Sequence, residues 1–319
     1  MNHMKLLIIR SWDGNLLAEL KTTFPQVQFV ATSEPDEILR EISDAEVVFG
    51  GITREAFLAA KQLKWIQNSG AGVDRLAPIA ELAESDVIVT NTRGAHAATI
   101  AEHAFGLLIS LTRNLPQCFQ AQRDHNWNVR FDKPMVGLTG LTLGMVGLGN
   151  IGSAIAKRGH AFDMNVVAID AHEVAKPDYV TELRLSDGLD DLLRQSDVVT
   201  VTTPRTPQTK GMLGEQQLGL MKPSSYLLVV SRGGIVDEDA LARMLSEGRL
   251  AGAGLDVTAT EPLPEDSPLW DTPNLLITPH CSGGSAFTSA NVMAIFQENL
   301  RRYLAGEPLT NLVDLKLGY

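Results

Sequence analysis

The chain has 319 residues, of which 44% are hydrophobic and 20% charged, and its net charge is −11. This length predicts about two globular domains, and the acidic balance argues against nucleic-acid and membrane partners, which bind to basic surfaces. The two cysteines, Cys118 and Cys281, lie far apart without the spacing of zinc ligands, so we expect a reduced protein without a metal site. No apolar signal region occurs at the start, and we therefore expect a cytoplasmic protein.

Apolar and amphipathic segments alternate along the N-terminal part of the chain. The apolar runs predict strands at 5–10, 27–32, 45–51, 63–68 and 87–91. Helical patterns lie between them, at 15–22 and 35–42, and this alternation predicts a parallel α/β unit. A long helix is predicted over 97–112, and an irregular segment rich in Arg, Gln and aromatic residues follows over 114–140.

The same alternation resumes after residue 140. Strands are predicted at 143–146, 165–170, 197–203, 226–231, 252–257 and 275–278, and helices at 153–162, 188–195, 215–221 and 237–247. Because the last helix, 286–305, follows a complete second sheet, we expect it to return to the first unit. The predicted fold is α/β, with two Rossmann-like or flavodoxin-like doubly wound parallel sheets and an active-site cleft between them. The predicted limits are 1–98 plus 287–319 for a substrate-binding domain and 99–286 for a nucleotide-binding domain.

Three glycines, Gly147, Gly149 and Gly152, follow a short apolar strand with the spacing G-x-G-x-x-G. In a dinucleotide site the first permits a tight turn, the second lets the backbone approach a pyrophosphate, and the third lets the helix pack closely on the strand. Asp170 ends the next predicted strand, where a carboxylate accepts hydrogen bonds from an adenosine ribose and repels a 2′-phosphate. An ordinary glycine turn and a solvated aspartate are the alternatives. The strand–helix–strand context favours a dinucleotide site that binds NAD rather than NADP.

Further motifs follow in order along the chain. They are SGAGVD at 69–74, IAEH at 100–103, VVSRGGIVDE at 229–238, GAGLDVTATEPLP at 252–264 and TPHCSGG at 278–284. With the glycine motif they resemble the D-isomer-specific 2-hydroxyacid dehydrogenase family over almost the whole chain. The resemblance implies an NAD-dependent oxidoreductase of small 2-oxo acids and D-2-hydroxy acids, similar to glyoxylate/hydroxypyruvate reductases or phosphoglycerate dehydrogenases.

The resemblance implies a catalytic triad of Arg232, Glu261 and His280. Each residue follows a predicted strand of the second unit, where open α/β sheets bind their ligands. The planar guanidinium of Arg232 suits a substrate carboxylate and keto oxygen, and His280 would donate a proton to that oxygen. Glu261 would orient the imidazole and favour its protonated form. Taken singly, each of the three residues also suits a loop position without a catalytic role.

The resemblance also implies a set of cofactor and substrate contacts. The cofactor residues are Gly147, Gly149, Asn150, Ile151, Gly152, Asp170, Thr203, Pro204, Thr209, Val230, Ser231, Arg232, Asp256, His280 and Gly283. Among them, Asp256 and the backbone of residues 230–232 would contact the nicotinamide carboxamide. The substrate residues are Ala71, Gly72, Val73, Arg232 and His280. The first three would offer N–H groups to the substrate carboxylate, and a simple glycine turn is the alternative.

Three further features of the sequence bear on its site and its assembly. His96 stands where many relatives have a different residue, and it would either face the cleft or cap the following helix. The irregular segment 114–140, with Trp127 and Phe131, is interpreted by analogy as the dimerisation arm of a homodimer. Because the chain ends at Tyr319, we expect no regulatory domain of the kind appended to some phosphoglycerate dehydrogenases.

Two alternative functions use the same fold. An NADH-sensing corepressor-like binding protein would bind the nucleotide without turnover. A formate or phosphite dehydrogenase would oxidise a different small anion. A formate enzyme would need an amide partner for the histidine, and Glu261 argues against it, whereas a phosphite enzyme shares the triad.

Overall fold

The computed structural model describes residues 4–9 and 14–317. Arg10, which the first predicted strand included, lies outside the described residues. The chain divides into two compact units, one of Met1–Ala95 with Ala286–Tyr319 and the other of His96–Ser285. The domain limits predicted after residues 98 and 286 lie within a few residues of these divisions.

Parallel strands and helices alternate in both units. The strands are β1 Met4–Ile9, β2 Val27–Thr32, β3 Val47–Phe49, β4 Trp65–Gln67, β5 Ile88–Thr90, β6 Thr142–Val146, β7 Asn165–Asp170, β8 Glu182–Leu185, β9 Val198–Val201, β10 Tyr226–Val229, β11 Gly252–Leu255 and β12 Leu275–Ile277. The helices are α1 Gly14–Thr23, α2 Pro35–Glu41, α3 Arg54–Ala59, α4 Ala80–Ala83, α5 Ala97–Thr112, α6 Leu115–Arg123, α7 Asn150–Ala161, α8 Leu189–Gln195, α9 Glu215–Leu218, α10 Glu238–Ser246 and α11 Ala286–Ala305. Short 3-10 turns occur at Ile42–Asp44, Ser186–Gly188 and Pro268–Asp271.

The first unit contains a five-stranded parallel sheet in the order β2-β1-β3-β4-β5. Its strands are largely buried apolar runs, as expected for a sheet covered on both faces. The C-terminal helix α11 packs on this sheet, and the ring of Phe296 lies 4.3 Å from that of Phe49 between centroids. Its buried Asn299 donates a 2.9 Å hydrogen bond to Gln67 of β4, so the last helix is part of the first unit.

The second unit contains a seven-stranded parallel sheet in the order β12-β11-β10-β9-β6-β7-β8. From β6 the chain winds outward to β7 and β8, and then crosses back to β9 on the other side of β6. Open sheets of this kind bind ligands at such a reversal, outside the carboxyl ends of the strands. Glycines follow β6, and the other predicted site residues of the second unit follow β7, β9, β10, β11 and β12 at this same edge.

Two features of the second unit differ from the sequence prediction. β8 was not predicted, because its sequence ELRL mixes charged and apolar residues and it lies at the edge of the sheet, partly exposed. The segment predicted as irregular contains α6, which begins beside a Pro and buries one residue, Ala121, so apolar periodicity could not reveal it. No described helix is both long and apolar enough to cross a bilayer. Within the uncharged stretch 135–156, β6 ends at Val146 and α7 begins at Asn150.

Candidate active site

The turn between β6 and α7 has the backbone that the glycine motif predicts. Gly147 adopts a φ of +97°, which favours glycine strongly over other residues. A Cβ on Gly152 would overlap the carbonyl oxygen of Gly147, so the helix lies directly against the turn. A Cβ on Gly149 would meet no protein atom within 4 Å, so this face of the turn is open.

Asp170, at the end of β7, lies beside the same turn. Its Oδ2 accepts a 2.8 Å hydrogen bond from the N–H of Leu148, and its Oδ1 accepts one of 3.1 Å from the N–H of His172. These two bonds hold the carboxylate next to the glycines. A carboxylate in this place can also accept hydrogen bonds from the hydroxyl groups of a ribose.

Two buried hydroxyl groups near the turn have no partner among the described residues. They are Oγ1 of Thr203, after β9, and Oγ of Ser231, after β10. Buried polar groups are usually hydrogen-bonded, so two such hydroxyl groups without partners, each after the end of a strand, indicate a place where a ligand can bind. The first-turn N–H groups of α7, at Asn150 and Ile151, lack helical partners and suit an anion. These residues fit a dinucleotide with a pyrophosphate at the helix start.

The loop after β9 is ordered by its own threonines. Thr209 Oγ1 donates a 2.7 Å hydrogen bond to the carbonyl oxygen of Pro204 and accepts one of 2.8 Å from the N–H of Thr206. Both Pro204 and Thr209 were predicted to line the adenosine side. The structure gives the hydroxyl of Thr209 a role within its own loop, and a contact to the cofactor stays a prediction.

Alanine at the second and third glycines of the motif should separate folding from nucleotide binding. We expect Gly152→Ala to lower both the melting temperature and the affinity for NADH, because the new methyl group overlaps the backbone of the turn. We expect Gly149→Ala to leave the melting temperature unchanged and to weaken NADH, since its methyl group would occupy only the open face. Thermal denaturation and fluorescence titration with NADH measure the two effects. Unaltered NADH affinity in both variants would place the nucleotide elsewhere.

Glu261 and His280 form a direct pair in the second unit. The Nδ1 of His280 lies 2.7 Å from Oε2 of Glu261, and the second carboxylate oxygen accepts a 3.1 Å hydrogen bond from the N–H of Thr258. The side chains are 48% and 38% exposed, so the imidazole is accessible to a small molecule. Because Nδ1 faces the carboxylate, Nε2 is the ring nitrogen available to a substrate. The Glu261–Pro262 peptide bond is cis.

Arg232 lies in the loop after β10, beside the segment that carries Glu261. Its Nη1 donates a 2.6 Å hydrogen bond to the carbonyl oxygen of Ser231. A Cβ on the next residue, Gly233, would overlap the carbonyl group of Thr258, so the two loops are in contact. The structure thus pairs Glu261 with His280 directly and places Arg232 in an adjoining loop.

Asp256, predicted to contact the nicotinamide, is the centre of a buried network. Its side chain has no exposed surface. Its carboxylate accepts hydrogen bonds from the hydroxyl of Thr278 at 2.7 Å and from the N–H groups of Cys281 and Ser282 at 3.0 Å each. The N–H of His280 donates to the main-chain oxygen of the same aspartate at 2.8 Å. Asp256 therefore holds the turn in which His280 adopts a φ of +50°.

His103 joins this network from α5. Its Nε2 lies 2.8 Å from the hydroxyl of Thr278 and 3.6 Å from Oδ1 of Asp256. His103, Asp256 and Cys281 form a group of potential metal ligands among the described residues. Burial, and then the charge of Asp256, raise the pKa of the Cys281 thiol, which disfavours the thiolate that a metal requires. Because the carboxylate already has three donors, we interpret the group as a hydrogen-bond network.

The predicted substrate loop in the first unit has its carbonyl groups turned toward polar side chains. Asn68 donates to the carbonyl oxygens of Gly70 and Gly72 at 2.9 and 2.8 Å, and Asn91 donates to that of Ala71 at 2.8 Å. Within the part of the chain that the structure describes, the N–H groups of Ala71, Gly72 and Val73 donate to no main-chain carbonyl oxygen. N–H groups presented in this way suit a carboxylate.

His96 occupies the N-cap position of α5, but its side chain makes no capping hydrogen bond. A Cβ on Gly283 would lie 3.0 Å from its Cδ2, so the imidazole packs on the turn that follows His280. The alternative in which His96 caps the helix is therefore wrong. The ring instead covers one of the predicted cofactor residues.

Sequence reasoning missed several residues that organise the site. They are Asn68 and Asn91 in the first unit, and His103, Glu238 and Thr278 in the second. The last three lie inside motifs that carried the resemblance, but their partners are distant in sequence. The signal that could have identified these three residues was their place in a motif in which they had been given no role.

The chain is similar to known proteins over most of its length. Residues 105–282 match the family model described as D-isomer specific 2-hydroxyacid dehydrogenase, NAD binding domain. A D-3-phosphoglycerate dehydrogenase of Methanocaldococcus jannaschii is 33% identical over 91% of this chain, and the match spans only 56% of that relative. A glyoxylate reductase of Korarchaeum cryptofilum is 34% identical over 87% of this chain and 85% of its own length.

Solved structures give the same result for the whole fold. A D-isomer specific 2-hydroxyacid dehydrogenase family protein from Aeromonas salmonicida is 31% identical, with a TM-score of 0.87 over 98% of this chain and all of that one. A D-isomer specific 2-hydroxyacid dehydrogenase from Xanthobacter autotrophicus, solved with NADPH, is 28% identical, with a TM-score of 0.83 over 99% of this chain and all of that one.

Proposed function

Because the chain belongs to the D-isomer specific 2-hydroxyacid dehydrogenase family, we propose that it interconverts a small 2-oxo acid and the D-2-hydroxy acid with NADH and NAD. The observation that carries this proposal is the 2.7 Å contact between Glu261 and His280, at the edge of the sheet that bears the glycine turn. A carboxylate that holds an exposed imidazole is the arrangement of a general acid and its orienting partner.

The residues of the second unit then have separate tasks. NADH, when bound, supplies the hydride that reduces the carbonyl carbon. His280 donates a proton from Nε2 to the keto oxygen and recovers it in the reverse direction. Glu261 keeps the ring oriented through its 2.7 Å contact with Nδ1. Arg232 binds the substrate carboxylate and polarises the keto oxygen, tasks that suit its five donors in one plane.

Substrate binding also draws on the first unit in this proposal. The N–H groups of Ala71, Gly72 and Val73 bind the carboxylate of the 2-oxo acid. The side chains of Asn68 and Asn91 keep the loop in shape, because they satisfy the carbonyl groups on its other side. These backbone donors recognise the carboxylate, which all 2-oxo acids share.

The proposal is tested by following NADH absorbance with glyoxylate, hydroxypyruvate, pyruvate and branched 2-oxo acids. We expect oxidation of NADH with at least one of these acids. Tight NADH binding without turnover on any of them would favour the corepressor-like alternative. Turnover with formate or phosphite but with no 2-oxo acid would favour the alternative of a formate or phosphite dehydrogenase. The carboxylate partner of His280 supports the 2-oxo acid over formate, which requires an amide partner.

We further propose that NAD is preferred over NADP, because Asp170 is held beside the glycine turn where it repels a 2′-phosphate. We expect a lower KM for NADH than for NADPH. We expect Asp170→Ala to reduce that difference by lowering the KM for NADPH, because the repulsion is removed, and by raising the KM for NADH, because the hydrogen bonds to the ribose are lost. Initial rates with both cofactors at equal concentration measure the effect. A preference for NADPH in the parent protein, as bound by the Xanthobacter relative, would remove the assignment.

Finally, we propose a cytoplasmic homodimer that associates through residues 114–140. Trp127 in this segment is 95% exposed and Phe119 is 54% exposed, so both large apolar side chains are accessible to a partner. Both cysteines are free, in keeping with a reducing compartment. We expect sizing chromatography with light scattering to give twice the mass of 34.6 kDa, and Trp127→Ser to weaken the dimer. A monomer at micromolar concentration would contradict the proposal.

A further inference from the structure

Glu238, the first residue of α10, contacts both loops that carry the proposed catalytic groups. Its Oε1 accepts a 2.6 Å hydrogen bond from the N–H of Ala259, in the segment that leads to Glu261. The backbone of Gly234, two residues after Arg232, lies close enough to the same carboxylate to lower its pKa. One half-buried side chain thus joins the loop after β10 to the loop after β11.

The two loops have little freedom at this point. Gly233 lies so close to Thr258 that a Cβ would overlap its carbonyl group. Thr258 in turn donates its N–H to Glu261, which holds His280. A displacement of either loop at Gly234 or Ala259 would therefore reach Arg232 on one side and the Glu261–His280 pair on the other.

The position of the Glu238 carboxylate is electrostatically unfavourable. Burial raises the pKa of Glu238, the N–H groups of Ala259 and Gly234 lower it, and the neighbouring Asp239 and Glu261 raise it further. A second carboxylate beside Glu261 is electrostatically unfavourable. The charge-assisted hydrogen bond from Ala259 and the nearby backbone of Gly234 offset only part of that cost, since the pKa of Glu238 stays raised overall.

We propose that Glu238 is a positioning residue, which sets the distance between Arg232 and the Glu261–His280 pair by holding Ala259 at the start of α10, where the loop that carries Arg232 ends. The inference rests on the proposed function and adds to it a residue that does not touch the substrate. A displacement near 1 Å between catalytic groups can lower a rate by about 100-fold. Glu238 is held at its own end by the start of α10, where Asp237 caps the helix through a 3.0 Å bond from the N–H of Ala240.

The test compares Glu238→Gln and Glu238→Ala with Asp239→Asn. Asp239 is an exposed acid in the same first turn and makes no described hydrogen bond to either loop, so it controls for lost charge. We expect Glu238→Ala to lower kcat/KM by about 10- to 100-fold, through both a higher KM for the 2-oxo acid and a lower kcat. We expect a smaller loss in Glu238→Gln, which keeps one acceptor. Parent kinetics are expected for Asp239→Asn.

A loss of folding alone would lower kcat in proportion to the active fraction and leave the KM unchanged, and that pattern would overturn the proposal. Parent kinetics in both Glu238 variants would overturn it as well. Hydrogen exchange followed by mass spectrometry gives a readout without turnover. Peptides containing Gly234 and Ala259 should both exchange faster in Glu238→Ala. Unchanged exchange in either peptide would contradict the proposed role of Glu238 in holding the two loops together. A failure of the proposed function would appear separately, as full activity in His280→Ala.

Discussion

His280→Ala should lower the turnover of the 2-oxo acid by about 100- to 10,000-fold, the usual contribution of a general acid. The imidazole is exposed, and its Nδ1 is held by Glu261, so only Nε2 is free to donate the proton. The alanine variant should still bind NADH, since the glycine turn and Asp170 are unchanged. Initial rates and a fluorescence titration with NADH distinguish lost chemistry from lost binding.

Backbone conformation at this position calls for a matched control. His280 has a φ of +50°, and asparagine tolerates this region better than alanine, so His280→Asn should keep the fold and show the same loss of turnover. His125 is an exposed histidine with a φ of +52°, and His125→Ala should retain full activity. If His280→Asn kept the turnover of the parent, the residue would not be the proton donor.

Arg232→Ala should have the second large effect, on kcat/KM for the 2-oxo acid. Loss of a charged partner from a buried ion pair costs about 2–5 kcal/mol, which corresponds to roughly 30- to 4,000-fold. Arg232→Lys should recover only part of this loss, because an ammonium group cannot form two parallel hydrogen bonds with a carboxylate. Saturation curves for the acid at fixed NADH measure the effect, and the KM should rise in both variants.

An arginine elsewhere in the second unit provides the control. Arg243 lies on α10, exposed and 3.2 Å from Glu215, and a surface ion pair of this kind contributes little. Arg243→Ala should therefore leave kcat/KM unchanged. A KM for the acid that is equal in Arg232→Ala and the parent would show that another cation binds the carboxylate.

The sequence predicted those parts of the site that depend on local patterns. The left-handed φ at Gly147 and the crowding at Gly152 follow from glycine spacing within one turn. The bounds of β7, α5 and α11 follow from apolar periodicity over a single element. Glu261 and His280 came from motif register, and their contact required only that two neighbouring strands end at the same edge.

Other parts of the site depend on contacts that no local pattern records. The unsatisfied hydroxyl groups of Thr203 and Ser231 become visible only when β9 and β10 are paired. Glu238 bonds to Ala259 across 21 positions of chain, and His103 meets Thr278 across 175. Asp256 was assigned to the cofactor because of its motif, but its enclosure by three donors is a property of the folded turn.

The most direct measurement of the central claim is the product formed by the parent protein. The 2-oxo acid that is reduced fastest is incubated with NADH, and the hydroxy acid is separated by enantioselective chromatography. We expect one D-2-hydroxy acid molecule for each NADH consumed, and no such product from His280→Asn. Formation of the L or racemic acid, or of equal product with the variant, would contradict the assignment of His280 and its partners as a D-specific reductase site.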